Sequence, residues 1–197
     1  MLEPEYFFSH LPEITTPRLL LRKLNMRDAA DMYEYSRDPE VARHVLWDAH
    51  VSPSESRTYI RYSLRRARLG EPCSWGIEHR ASGKLIGTIG FMWWQKEHSS
   101  AEVGYSLSRA YWNQGLMTEA LGAVLEYAFD TLHLHRVEAQ HEVSNPASGK
   151  VMHKCGMRHE GTLRGRLYNK GRYVDVELYA ILREDYHALR VRGTNRP

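Results

Sequence analysis

Apolar residues recur at helical spacing in the middle of the chain and alternate with polar ones on either side of it. The pattern is clearest from Ser100 to Thr131. Ala101 to Leu107 reads as a strand and Ser108 to Gln114 as a short loop. After Gly115, residues Met117, Leu121, Val124, Leu125 and Ala128 fall on one stripe of an amphipathic helix. A strand, a tight loop and a helix N-terminus form a corner suited to an anion. The first N–H groups of the helix have no intrahelical partner, and the helix dipole favours negative charge there. Gly115 lets a ligand approach the backbone closely, and Asn113 tolerates a left-handed backbone. The same corner also occurs as an ordinary strand–loop–helix connection.

The remaining elements follow from the same patterning. Met1 to Pro17 has no period and carries Pro4, Pro12 and Pro17, which predicts an extended arm. Arg18 to Leu24 is a first strand, and Asn25 and Asp28 start a helix over Met26 to Ser36. Val41 to Val51 reads as a connection containing Trp47. Ser52-Pro53-Ser54-Glu55 opens a second helix reaching Leu69, with Tyr59, Ile60, Ser63, Leu64 and Ala67 inward. Its outer face carries Arg57, Arg61, Arg65, Arg66 and Arg68, a solvated face or a surface for anionic RNA or an acidic protein. Ser74 to His79, Lys84 to Trp93 and Ala101 to Leu107 predict an antiparallel meander, with a polar turn over Trp94 to Ser99. The helix after Gly115 then crosses over to a parallel strand, Arg136 to Val143. Asn145-Pro146 starts a helix over Ala147 to Lys154. Met157 to Leu167 and Tyr173 to Leu182 form a last hairpin, and Glu184 to Arg190 a short helical end.

This order predicts an α/β (α+β) domain over residues 18–190, with a frayed tail over 191–197. The sheet is mixed and mostly antiparallel, with about seven strands and helices on both faces. A cleft is expected where the meander gives way to the crossover strand.

Composition narrows the function classes. The 197 residues, 42% hydrophobic and 26% charged, suit one globular domain. A formal charge of +3 is too mild to argue for direct nucleic-acid binding. No apolar run is long enough to span a membrane, and the acidic start MLEPEYFFSH is unlike a signal peptide. The two cysteines, Cys73 and Cys155, make no disulfide framework, so a cytoplasmic location is expected. His133 and His135 lack further ligands in sequence reach, and no metal is expected.

The ordered set of local sequences resembles the GNAT family of acetyl-coenzyme A-dependent N-acetyltransferases. Within it the chain is similar to the ribosomal-protein N-terminal acetyltransferases. The residues that carry the resemblance are Arg18-Leu19-Leu20-Leu21-Arg22, Ala101-Glu102-Val103-Gly104-Tyr105, the YWNQGLMTEA run that opens the central helix, and Asn145-Pro146-Ala147-Ser148. Lys154-Cys155-Gly156-Met157, Glu160 to Arg164 and Asp175 to Ala180 complete it. It covers Pro17 to Tyr186 and implies a GNAT-like fold with a splayed cofactor cleft.

The resemblance implies that acetyl-coenzyme A is the co-substrate and that the acceptor is an amine. The protein N-terminus, including that of a ribosomal protein, is the first expectation. A polyamine, aminoglycoside or amino acid is the alternative, and a non-catalytic coenzyme A-binding module is a third. A homodimer is left open. The implied cofactor-binding residues are Leu107, Trp112, Asn113, Gln114, Gly115, Leu116, Met117, Thr118, Asn145, Ser148 and Lys154. The family's phosphate-loop positions fall on Trp112, Gly115 and Met117, and the first and last depart from its usual residues. The family's leaving-group tyrosine position falls on Met152, which cannot donate. Ser148 is the substitute, able to hydrogen-bond the departing thiolate. Asn145 would bond the pantetheine arm or simply cap its helix. Glu102 is the first choice of base, with Glu138, His141 and Glu160 as alternatives. The acceptor pocket is expected from the first two helices, Trp47, the Trp93-Trp94 turn, and the hairpin with Tyr168, Asn169 and Tyr173.

Overall fold

The sheet is built from strands β1 (Ile14–Thr15), β2 (Leu19–Arg22), β3 (Ser74–His79), β4 (Lys84–Gln95), β5 (Ser100–Leu107), β6 (Arg136–Glu142), β7 (Arg158–Asn169) and β8 (Arg172–Leu182). In this computed structural model, which describes residues 3–194, they lie in the order β1-β2-β3-β4-β5-β6-β8-β7. Every pairing is antiparallel except β5 with β6. The meander and the parallel crossover are as expected. The eighth strand is β1, too short to show alternation.

Helices cover both faces. Helices α1 (Pro4–Ser9), α5 (Leu116–Glu126) and α6 (Pro146–Lys154) contribute to the larger core cluster. Helices α2 (Ala29–Ser36), α3 (Pro39–Ala42) and α4 (Pro53–Arg68) contribute to a second one around Met32, Tyr35 and Ile60. The stripe Met117, Leu121, Val124, Leu125 and Ala128 is buried throughout. A π-turn over Tyr127–Thr131 extends α5 towards β6. No described helix is long and apolar enough to cross a membrane.

Several boundaries differ from the expectations, for identifiable reasons. The N-terminal segment is not extended: it holds α1, whose Phe7 and Phe8 are buried against Trp75, Phe91 and Trp94. One short turn with two adjacent apolar residues leaves no period to read. At Asn25 the predicted cap forms, with Asn25 Oδ1 accepting from Arg27 N and Asp28 Oδ2 from Asn25 N. The Ser52 side chain bonds Ser54 instead of capping, and Glu55 reaches back to Val51 N. Trp94 to Ser99 is not a turn throughout, because β4 runs on to Gln95. The final helix α7 (Arg183–Thr194) continues past the predicted fray point at 191, and residues 195–197 lie outside the described part.

Candidate active site

Strands β5 and β6 pair over only three positions, Ser100 with Arg136, Ala101 with Val137 and Glu102 with Glu138. Beyond these, β5 stays on β4 out to Leu107 and β6 stays on β8 out to Glu142. The two strands therefore diverge into a V with Glu102 at its apex. Backbone groups of β5 that face the V have lost their sheet partner and are available to a ligand. A bulge in β4 at Met92 sits opposite this apex, between the Phe91–Val103 and Trp93–Glu102 pairs. It turns Trp93 onto the face of Glu102 and Trp94 onto the opposite face with Phe7 and Phe8. Of Trp93 and Trp94, both expected at the acceptor pocket, only Trp93 is on that side.

The wide end of the V leads to the loop before α5. Asn113 and Gly115 both have positive φ, 58° and 75°, as expected of residues that bend the backbone into a cradle. The first intrahelical bond is Glu119 N to Gly115 O, so the N–H groups of Leu116, Met117 and Thr118 lie outside the helix ladder. The Leu116 and Met117 side chains are buried in the core, so Met117 does not crowd the cradle. Trp112 folds back and its Nε1 donates to Leu107 O at 2.8 Å. The Gln114 side chain bonds Ala110 O.

The cradle is braced from the turn between β1 and β2, a feature with no local sequence signal. Glu119 accepts from Thr16 Oγ1 at 2.6 Å, Arg18 N at 2.9 Å and Arg18 Nε at 2.6 Å, while Arg18 Nη1 donates to Gln114 O at 2.9 Å. Burial alone would raise the Glu119 carboxyl, but the bonds from Thr16 and Arg18 outweigh it and hold it below the usual carboxylate range.

Helix α6 lines the V on the side of α5. Asn145 sits at its N-cap position, yet its side chain makes no capping bond. Among the described residues its amide has no hydrogen-bond partner. Ser148 Oγ lies 2.9 Å from Tyr105 Oη, a contact that joins α6 to β5 across the V. Met152 is buried in the core. Lys154 is exposed at the far end of α6, next to Cys155, whose Sγ donates to Thr118 O at 3.4 Å. That bond holds the end of α6 against the first turn of α5. Burial pushes the Cys155 thiol up to about 12, so it stays protonated. His141 is buried, its Nδ1 2.7 Å from Glu142 O and its Nε2 without a partner among the described residues. Gly149 makes room for that ring, since a Cβ there would lie 2.6 Å from His141 Nε2.

The candidate carboxylates separate by environment. Glu138 and Glu160 both pair with Arg136, at 2.6 and 2.5 Å. Arg136 holds the Glu160 carboxyl below its usual range, which makes Glu160 a poor base. Glu102 instead bonds two neutral donors, Trp93 Nε1 at 2.8 Å and Gln140 Nε2 at 3.1 Å. Burial raises its carboxyl, and those two bonds offset the rise only in part. Ala101, Val103, Tyr105 and Leu107 belong to the core side that α5 and α6 cover. By strand alternation Glu102 points to the other face. Glu102 and Ser148 therefore approach the V from opposite sides.

On the Glu102 face, the β7–β8 hairpin closes against the segment after α3. Lys170 Nζ donates to Val45 O and Trp47 O at 2.6 and 3.2 Å. Asn169 is buried and donates to Glu142 at 2.5 Å, so it is a clamp and not exposed recognition surface. Tyr168 and Tyr173 meet edge to face near the tip with ring centroids 5.1 Å apart, both exposed. Trp47 packs beside the α2–α4 cluster.

The arrangement has relatives. Residues 18–158 match the family model described as acetyltransferase (GNAT) domain. An uncharacterised N-acetyltransferase p20 of Bacillus licheniformis is 33% identical over 171 residues, covering 87% of this chain and 96% of that protein. A [ribosomal protein uS5]-alanine N-acetyltransferase of Escherichia coli is 27% identical over 188 residues, covering 90% and 95%. The crystal structure of a GNAT-family acetyltransferase from Bacillus anthracis superimposes with a TM-score of 0.79 at 28% identity, covering 88% and 99%. With the splayed sheet, this match makes the chain a member of the GNAT acetyltransferase family.

Proposed function

We propose that the chain transfers an acetyl group from acetyl-coenzyme A to the N-terminal α-amine of a protein, by direct attack within a ternary complex. The observation that carries the reading is the V between β5 and β6, with a neutral-bonded carboxylate at its apex and unpaired helix N–H groups at its mouth. Support for coenzyme A comes from the donor set. The N–H groups of Leu116 to Thr118, which follow the left-handed bends at Asn113 and Gly115, suit a pyrophosphate. The Asn145 amide, which makes no capping bond, suits an amide of the pantetheine arm.

The chemistry follows from the two faces of the V. A neutral amine is needed for attack, and an α-amine, with a pKa of about 8, gives up its proton far more readily than a lysine at about 10.4. Glu102, raised by burial, takes that proton directly or through a water. A β5 backbone N–H freed by the splay stabilises the oxyanion. Ser148 hydrogen-bonds the departing thiolate from the opposite face. Aligning amine and thioester in one cleft supplies much of the rate by itself. A protein acceptor also agrees with the activity named for the E. coli relative.

The test is acetyl-coenzyme A turnover against a panel of peptides, polyamines, aminoglycosides and amino acids, for wild type, Ser148→Ala and Glu102→Gln. The reading expects peptide α-amines to be preferred and both variants to be slow. A polyamine that outperforms every peptide overturns the acceptor. Coenzyme A binding with no thiol release from any amine overturns the enzyme reading of this chain.

A further inference from the structure

The only bond of the Ser148 hydroxyl among the described residues is to Tyr105. Tyr105 Oη lies 2.9 Å from Ser148 Oγ and 3.2 Å from Ser148 O. A tyrosine hydroxyl has one hydrogen, and a serine hydroxyl has one hydrogen and two lone pairs. The Ser148 carbonyl lies in the first turn of α6, where it faces the N–H four residues on, so it competes for the Tyr105 hydrogen only with its second lone pair and at the longer distance. The shorter contact, to Oγ, is the better acceptor for the Tyr105 hydrogen.

That assignment decides where the Ser148 hydrogen goes. An unassisted serine at a helix start turns its hydrogen back to a nearby backbone carbonyl. If Tyr105 donates into Ser148 Oγ, the serine hydrogen points away from the tyrosine, and the polarised O–H becomes a stronger donor. Tyr105 and Ser148 belong to the two walls of the V, on β5 and α6. We propose that Tyr105 is a positioning residue that aims the Ser148 O–H at the coenzyme A sulfur and so replaces the donor that Met152 cannot supply. The proposal rests on the acetyl-coenzyme A reading.

The proton balance is simple. The amine N–H proton goes to Glu102 and then to solvent, the new C–N bond forms, and the C–S bond breaks. The sulfur leaves as a thiolate that accepts a hydrogen bond from Ser148 and takes its proton from water. Neither Ser148 nor Tyr105 gives up a proton. Burial raises the Tyr105 hydroxyl well above its ordinary range, so it stays a donor throughout the working pH range.

A donor aimed at sulfur lowers the thiol pKa of bound coenzyme A, which can be read without any transfer. The experiment titrates the ultraviolet thiolate absorbance of coenzyme A bound to wild type, Tyr105→Phe, Ser148→Ala, Ser148→Thr and the Tyr105→Phe/Ser148→Ala double variant. In wild type the bound thiol ionises about half to one pH unit below free coenzyme A, the range of one hydrogen bond. Tyr105→Phe removes most of that shift, Ser148→Thr retains it, and Tyr105→Phe has no further effect once Ser148 is alanine. In turnover, Tyr105→Phe lowers kcat about three- to tenfold and leaves the KM for acetyl-coenzyme A unchanged. The proposal is overturned if the wild-type thiol titrates like the free one, or if Tyr105→Phe leaves the shift intact. It is also overturned if the phenylalanine acts equally in both Ser148 backgrounds, which is the signature of packing. Wild type that binds no coenzyme A overturns the acetyl-coenzyme A reading and the proposal with it, a result distinct from the other three.

Discussion

Trp93 Nε1 donates to Glu102 Oε2 at 2.8 Å, and the Met92 bulge is what brings the two together on one face. The bond stabilises the ionised carboxylate and so works against the burial that raises Glu102. Trp93→Phe removes this donor, which moves the acidic limb of the kcat/KM pH profile to higher pH. Glu102→Gln removes the limb. The measurement is kcat/KM against pH with one peptide acceptor. An acidic limb that stays in place in both variants assigns it to another group.

Glu102 also has a stability consequence. Its folded-state pKa is raised, so its contribution is fully present below the unfolded value of about 4.3 and is lost as pH rises through the folded value. At neutral pH the buried carboxylate opposes folding. Glu102→Gln is therefore expected to raise the Tm at pH 7 relative to wild type while lowering transfer. The gain should shrink at pH 4. Thermal unfolding at both pH values checks this.

Glu142 behaves in the opposite sense. Burial would raise its carboxyl, but bonds from Asn169, His44 and Ser144 hold it below the usual range. Its contribution is present above about pH 4.3 and is lost as pH falls through the depressed folded value. Glu142→Gln should cost about 1–3 kcal/mol at pH 7, because buried donors lose a charged acceptor. The difference from wild type should close on acidification. Denaturant unfolding at pH 7 and below pH 4 tests the sign, and an equal loss at both refutes it.

What was legible in the chain was what repeats within a short window. The α5 stripe, the β3–β5 meander and the Lys170-Gly171 hairpin turn all carry local signals, and the latter two residues have the positive φ a two-residue turn needs. The αL backbone at Asn113 and Gly115 was legible because residue type alone limits it. The unread features join distant positions. Thr16 and Arg18 meet Glu119 about a hundred residues away, and Tyr105 meets Ser148 across the V. The Met92 bulge shifts a face by one residue, and no alternation pattern announces which of Trp93 and Trp94 ends inside.

The brace on the α5 cradle is one such long-range feature with a testable cost. Glu119 is mostly buried and Arg18 about half exposed, so the ion pair itself is partly screened. Its value lies in position, since Arg18 also holds Gln114 O at the cradle. Glu119→Gln should raise the KM for acetyl-coenzyme A about three- to tenfold, the range of one positioning hydrogen bond, with a smaller change in kcat. Stability should fall by about 1 kcal/mol. A fall in kcat with KM unchanged contradicts this assignment.

Gly149 and His141 give the last prediction. An alanine Cβ at 149 would lie 2.6 Å from His141 Nε2 and 3.3 Å from Tyr179 Oη. The imidazole cannot retreat freely, because its Nδ1 is bonded to Glu142 O and the ring is buried beside Tyr179. The first turn of α6 must therefore move outward, carrying Ser148 with it and stretching the contact to Tyr105. Gly149→Ala is expected to cost about 1–3 kcal/mol, as overpacking does, and to weaken coenzyme A binding. Adding His141→Ala opens the space again, so the double variant should be more stable than the sum of the single changes predicts. Denaturant unfolding of the four proteins in this cycle gives the coupling. Strict additivity would mean that the glycine is there for some reason other than the ring.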